Sequence, residues 1–233
     1  MQTFSRFFAL DPRFLTTIVL TALRDRVFLT LLLLDGLLIA LHVITIGFVP
    51  PDQLPASARW TRLDGDRSFA EIFEYLKCIG AGALLLKASR GKSPAIAIMA
   101  LLPFYLMLDN SLRIHEELAE LWFPVNENRG ELAISIAIGV LLTGVTIWAW
   151  VRADRRERAI ILAVWASVML VGFFGGFIDV LHVFAKRADD RLGRLFGILE
   201  DGGELIAQSL VVGISLAALK LCKPLSDTRR IAT

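Results

Sequence analysis

Six apolar segments run through this chain, and each contains or borders acidic or histidine residues. The hydrocarbon core of a bilayer is about 30 Å thick, so a helix needs about 20 mostly apolar residues to cross it. The segments that meet or approach this length are 27–49, 69–89, 95–118, 131–151, 159–185 and 203–221. Ionisable side chains are costly at membrane depth and by default mark a functional site. The sequence therefore predicts an all-α fold, a polytopic membrane protein with a six-transmembrane-helix bundle and a polar interior.

The two ends of the chain differ from the apolar part between them. Residues 1–26 carry arginines among short apolar pieces and show no signal-peptide pattern, which predicts a cytoplasmic N-terminal segment. Within it, residues 14–23 are too short an apolar run to span a bilayer, which favours an interfacial helix. We therefore predict a six-span membrane domain over 27–221 and a cytoplasmic basic tail over 222–233.

Loop charges predict the orientation of the bundle. The segments 1–26, 87–92, 152–158 and 220–230 carry 15 basic and 5 acidic residues, and six spans place all four on one face. The connections on the opposite face are longer and acidic. Because basic loops stay in the cytoplasm, both termini are predicted to be cytoplasmic. The short basic-side loops and compact length fit a plasma membrane protein of the bacterial inner membrane, with bilayer lipid as its partner.

The three helical pairs resemble one another. Odd-numbered spans end in a group of aspartate and histidine, and even-numbered spans begin with glutamate. Asp35, Asp109 and Asp179 are separated by 74 and then by 70 residues. A helical hairpin used three times would produce this spacing. An antiparallel bundle with acidic outer loops would also place acids at similar positions, so both interpretations stay open.

Several of these polar residues have spacings that suit ion binding. Residues three apart are neighbours on a helix, so Asp179 and His182 can reach one ion. Asp35 and His42 lie about 10 Å apart along the helix axis and could line one ion path. Carboxylates with imidazoles suit a divalent metal such as zinc, iron or manganese. The candidate metal ligands are Asp109, His115, Glu116, Asp179 and His182, with Glu74, Glu131 and Glu204 as candidate catalytic bases or further ligands.

A purely structural role is the alternative interpretation of the same residues. Buried acids can be paired with basic residues instead of holding an ion. Three such pairs are within reach: Lys77 with Glu74, Arg113 with Asp109, and Lys186 with His182. Glutamates at the start of a span also complement the positive end of the helix dipole. Solvated helix ends are the favoured interpretation for Glu71, Glu116, Glu117, Glu120, Glu200 and Asp201.

One short segment resembles a pattern in known proteins. Residues 108–116 resemble an L-D-E-x-x-S-x-H-E segment that uncharacterised multi-span bacterial membrane proteins carry. The residues that match in spacing are Asp109, His115 and Glu116. Asn110 replaces the glutamate of the pattern, and Arg113 replaces the serine. The resemblance implies a membrane family with a polar cluster, and it implies no activity.

Three functions are open at this stage. The first is a metal-binding membrane enzyme with an outward-facing site, which acts on a lipid or a small extracytoplasmic molecule by a hydrolytic or oxidative step. The second is a transporter of protons or metal cations that uses Asp35 and His42. The third is a non-catalytic assembly or sensor protein. Nucleic acid is not an expected partner, because the net charge is only +2 and no nucleic-acid-binding module occurs.

Overall fold

Helices form nearly all of the secondary structure in the part of the chain that the structure describes. The computed structural model describes residues 10–48, 60–63, 68–90, 92–125 and 127–222. Its helices are α1 Pro12–Leu23, α2 Arg26–Phe48, α3 Phe69–Ser89, α4 Pro94–Met99, α5 Leu101–Leu112, α6 Ile114–Trp122, α7 Glu127–Arg152, α8 Arg155–Gly172, α9 Asp179–Ala188 and α10 Asp190–Leu221. A π-helical turn, Phe173–Ile178, joins α8 to α9. The start of the predicted N-terminal segment and the predicted tail after residue 222 lie outside the described residues.

The all-α membrane bundle predicted from the sequence is confirmed. Five stretches of helix are long and apolar enough to cross a membrane: Arg26–Ile46, Pro94–Leu112, Gly130–Arg152, Arg155–Ala188 and Asp190–Leu221. The remaining predicted span, 69–89, corresponds to α3, which has 21 residues and a length of about 31 Å. Four charged residues lower its hydropathy, but Glu74 and Lys77 among them are buried in the bundle. Two of the four charged residues that lower the hydropathy of α3 therefore face the interior of the bundle.

Side-chain caps start the helices where the sequence supplies a suitable residue. The Ser68 hydroxyl accepts a hydrogen bond from the Glu71 backbone at 3.2 Å and begins α3. Asp154 and Glu157 form a reciprocal capping box at the start of α8. The Asp189 carboxylate accepts from the Arg191 backbone at 2.7 Å. This last cap lets α10 begin directly after α9, with a very short turn between them.

The long helix α10 is the centre of the bundle. It packs against α1, α2, α3, α8 and α9. Its buried face is rich in small and β-branched residues, among them Ala207, Val211, Ile214, Ala217 and Ala218. Small residues let membrane helices approach closely, so that dispersion contacts hold them together. Any polar residue on α10 is thereby brought near several other helices.

Two predicted spans have different ends in the structure. The third ends at Leu112 instead of running to residue 118, because Arg113 adopts a left-handed backbone conformation with φ of 51°. The sixth begins at Asp190 instead of residue 203, since α10 continues through Gly202 and Gly203. Phe174 lies directly against Gly203, where a side chain would block it. Glu200 and Asp201, interpreted as solvated residues at a helix end, therefore lie within a helix.

Candidate functional site

Three side chains from the α9–α10 hairpin form a group that could hold a metal ion, and we call them the metal cluster: Asp179, His182 and Glu200. One ligand atom from each lies within 4.8 Å of the other two. His182 Nδ1 donates to Glu200 Oε2 at 2.7 Å. Ligand atoms about 2.0–2.2 Å from a tetrahedral metal are about 3.3–3.6 Å apart, so a bound metal would draw these atoms together by up to about 1.5 Å. One imidazole with two carboxylates suits zinc, iron or manganese.

The backbone of α10 makes room for the metal cluster. A Cβ atom added at Gly197 would lie 3.1 Å from His182 Cε1 and 3.4 Å from Nε2. A Cβ added at Gly193 would lie 2.8 Å from the Cα of Lys186, so the two helices touch through this glycine. Both glycines therefore bring α9 close enough for His182 to reach Glu200 on α10.

Gly197→Ala is expected to weaken metal binding because the new methyl group pushes the His182 ring away from Glu200. Such a displacement of a ligand costs about 10–100-fold in affinity. The matched control is Gly144→Ala on α7, where an added Cβ meets nothing within 4 Å. Metal affinity measured by competition with a chelating dye should fall in the first variant only. Equal affinities in both variants would contradict the close fit of His182 on Gly197.

His115 and Asp109 form a second pair at the C-terminal end of α5. His115 Nδ1 donates to Asp109 Oδ2 at 2.9 Å, and the backbone N–H of His115 donates to Oδ1 at 3.1 Å. The hydrogen bond to Asp109 raises the pKa of His115 above its ordinary value. The left-handed turn at Arg113 places His115 back beside Asp109. Arg113 itself forms an ion pair with Glu116.

A cavity of about 230 Å³ connects the two groups, and we call it the polar cavity. Its polar lining residues are Glu71, Glu74, Asn110, Arg113, His115, Glu116, Glu200, Asp201 and Glu204. The Glu204 carboxylate also interacts electrostatically with the carboxylates of Glu74 and Asp179. Glu131 lies near enough to His115 to interact with its charge. Two of the predicted bases, Glu74 on α3 and Glu204 on α10, therefore line one cavity together with Glu200 of the metal cluster, whereas Glu131 on α7 is not among its lining residues.

Asp35 and His42, which were predicted to line one ion path, are hydrogen-bonded to different residues in the structure. Lys77 Nζ donates to Asp35 Oδ1 at 3.1 Å, and the Ser209 hydroxyl donates to Asp35 Oδ2 at 2.6 Å. Lys77 also donates to the Leu205 carbonyl at 2.6 Å. His42 Nδ1 accepts from the backbone N–H of Leu63 at 3.0 Å. Asp35 is thus part of a buried ion pair that joins α2, α3 and α10.

Sequence reasoning missed two of these partners. Glu200 was interpreted as a solvated helix end, although it lies beside His182 on the neighbouring helix. The available signal was the four-residue spacing of Gly193 and Gly197, which indicates a close helix contact next to His182. Lys77 was paired with Glu74 on the same helix, whereas its ion pair is with Asp35.

One family model matches most of the chain. The model of a family described as a domain of unknown function (DUF8692) matches residues 30–219. This range includes the metal cluster, the polar cavity and the ion pair between Asp35 and Lys77. No curated protein and no solved structure matches the chain.

Proposed function

The chain belongs to the DUF8692 family, and we propose that it is a metal-binding membrane enzyme that acts on a lipid or a small extracytoplasmic molecule. The observation that carries this proposal is the metal cluster, in which Asp179, His182 and Glu200 lie within 4.8 Å of one another. Three protein ligands leave a coordination position open, as in catalytic zinc sites. Two carboxylates offset the charge of a divalent cation, which favours its binding in a partly buried site.

The residues around the metal cluster have the chemistry that a hydrolytic reaction requires. A divalent metal supplies a bound water whose pKa is lowered to about 7. Glu204 lies four residues after Glu200, on the same face of α10, and can accept a proton from an attacking water. His115 also lines the polar cavity and is hydrogen-bonded to Asp109, and an imidazole held in this way can donate a proton to a leaving group. We therefore assign Glu204 as general base and His115 as general acid.

The geometry supports the enzyme more than the transporter. Transport through Asp35 requires an exchangeable deep carboxylate, whereas Asp35 is fully buried and bonded to Lys77 and Ser209. The positive-inside rule places the metal cluster toward the outside, away from the basic loops. An outward-facing site fits a substrate from the outer leaflet or the extracytoplasmic space.

The proposal predicts that the purified protein binds about one divalent metal ion per chain and that Asp179→Ala/His182→Ala binds none. The measurement is elemental analysis of detergent-purified protein after incubation with zinc, manganese or iron(II). Both proteins must elute as single symmetrical peaks, which shows that loss of metal is not loss of folding. A wild-type protein that retains none of the three metals would contradict the proposal and favour an assembly or sensor role.

A further inference from the structure

A second cavity, of about 300 Å³, lies among α5, α7 and α8, and we call it the apolar cavity. Most of the side chains that line this cavity are hydrophobic, and they include Leu106, Ile138, Leu142, Val168, Met169 and Phe173. These helices belong to the membrane-spanning part of the bundle. A ligand that enters here from the bilayer keeps an apolar environment.

Glycines create the space in the apolar cavity. Gly139 on α7 and Gly172 and Gly176 near the π-helical turn line the cavity. A Cβ atom added at any of the three would meet nothing within 4 Å. Side chains at these positions would therefore extend into the open space. π-Helical segments of this kind occur frequently at functional sites.

Polar groups lie at one end of the apolar cavity. Asn110, His115 and Glu204 line both this cavity and the polar cavity, so the two spaces meet there. Tyr105 and Asp109 also line the apolar cavity. An apolar chamber with hydrogen-bonding groups at one end matches the shape of a single-chain amphiphile.

We infer that the apolar cavity binds the acyl chain of a single-chain lipid whose head group is an uncharged, hydroxyl-bearing group. The carboxylates of the polar cavity disfavour an anionic head group: Glu71, Glu74, Glu116, Glu200, Asp201 and Glu204. A cationic head group would compete with the metal for Glu200, which belongs to both the polar cavity and the metal cluster. A hydroxyl can bond to Asn110 or His115 without either cost. The inference rests on the proposed function in treating this lipid as the substrate.

The test uses photoactivatable lipids in nanodiscs that contain the full-length protein. A monoacylglycerol with a diazirine in its chain is compared with a fatty acid of the same length and label. We expect the monoacylglycerol to label Leu142, Val168 or Met169. Gly139→Leu should reduce this labelling at least about tenfold, because its side chain occupies the cavity. The control Gly144→Leu lies on the same helix outside the cavity lining and also has open space around it, so its labelling should equal that of the wild type.

Two results would overturn the inference: labelling of the cavity by the fatty acid at the same level, or equal labelling of Gly139→Leu and Gly144→Leu. Metal content is measured on the same samples. Bound metal without cavity labelling would reject the lipid site and leave the metal cluster standing. Cavity labelling in a protein that binds no metal would reject the proposed enzyme and leave the lipid site standing.

Discussion

Glu200→Gln is expected to lower the metal affinity by more than about 100-fold, since substitutions in the outer shell of a metal site alone cost 10–100-fold. The amide keeps the shape of the side chain but removes its negative charge, and its oxygen is a weaker ligand for a divalent cation. The substitution also removes the carboxylate that accepts the hydrogen bond from His182. Both effects act on the same three-residue site.

The control for Glu200→Gln is Glu120→Gln on α6, an exposed glutamate that does not belong to the metal cluster. Dissociation constants for zinc and manganese are measured by competition with a chelating dye. Glu120→Gln is expected to leave both metal affinities unchanged. Wild-type affinity in Glu200→Gln would show that Asp179 and His182 bind metal with some other partner, and it would contradict the metal cluster described above.

Lys77→Met is expected to destabilise the folded bundle by about 3–5 kcal/mol, the usual cost of removing one partner from a buried ion pair. The substitution leaves the Asp35 carboxylate fully buried, with Ser209 as its remaining hydrogen-bond donor. The Leu205 carbonyl also loses the hydrogen bond from Lys77. The free energy of unfolding is measured by denaturant titration in mixed micelles.

Two further variants make the Lys77 prediction specific. Asp35→Leu/Lys77→Met should recover most of the lost stability, because replacing both charges with apolar groups removes the unpaired carboxylate. Lys87→Met lies on the exposed side of the same helix and should change stability by less than about 0.5 kcal/mol. A double variant as unstable as Lys77→Met alone would contradict a direct pairing of Asp35 with Lys77.

Local features of the fold, such as helix bounds, could be predicted from the sequence. The bounds of α3 agree with the predicted span 69–89, because Ser68 supplies a cap at one end. The interfacial helix predicted over 14–23 forms as α1, which begins after the cap residue Asp11 with Pro12 in its first turn. Its position at the membrane surface stays a prediction, as do the orientation of the bundle and its threefold repeat.

Contacts between residues on different helices could not be predicted from the sequence in the same way. The three-residue spacing of Asp179 and His182 predicted one ligand pair, and the structure brings both beside Glu200. Glu200 lies 18 residues from His182 on the next helix, and no local spacing connects them. The pairing of Asp35 with Lys77 crosses 42 residues. The helix break between α5 and α6 occurs at Arg113, where no glycine or proline predicts the end of a helix.

Asp179, His182 and Glu200 are proposed to bind one metal ion. The most direct test is X-ray absorption spectroscopy of the zinc-loaded protein in detergent. We expect a nitrogen and oxygen shell at about 2.0–2.2 Å with the scattering signature of one imidazole. A sulfur shell at about 2.3 Å, or the signature of two or more imidazoles, would contradict the account.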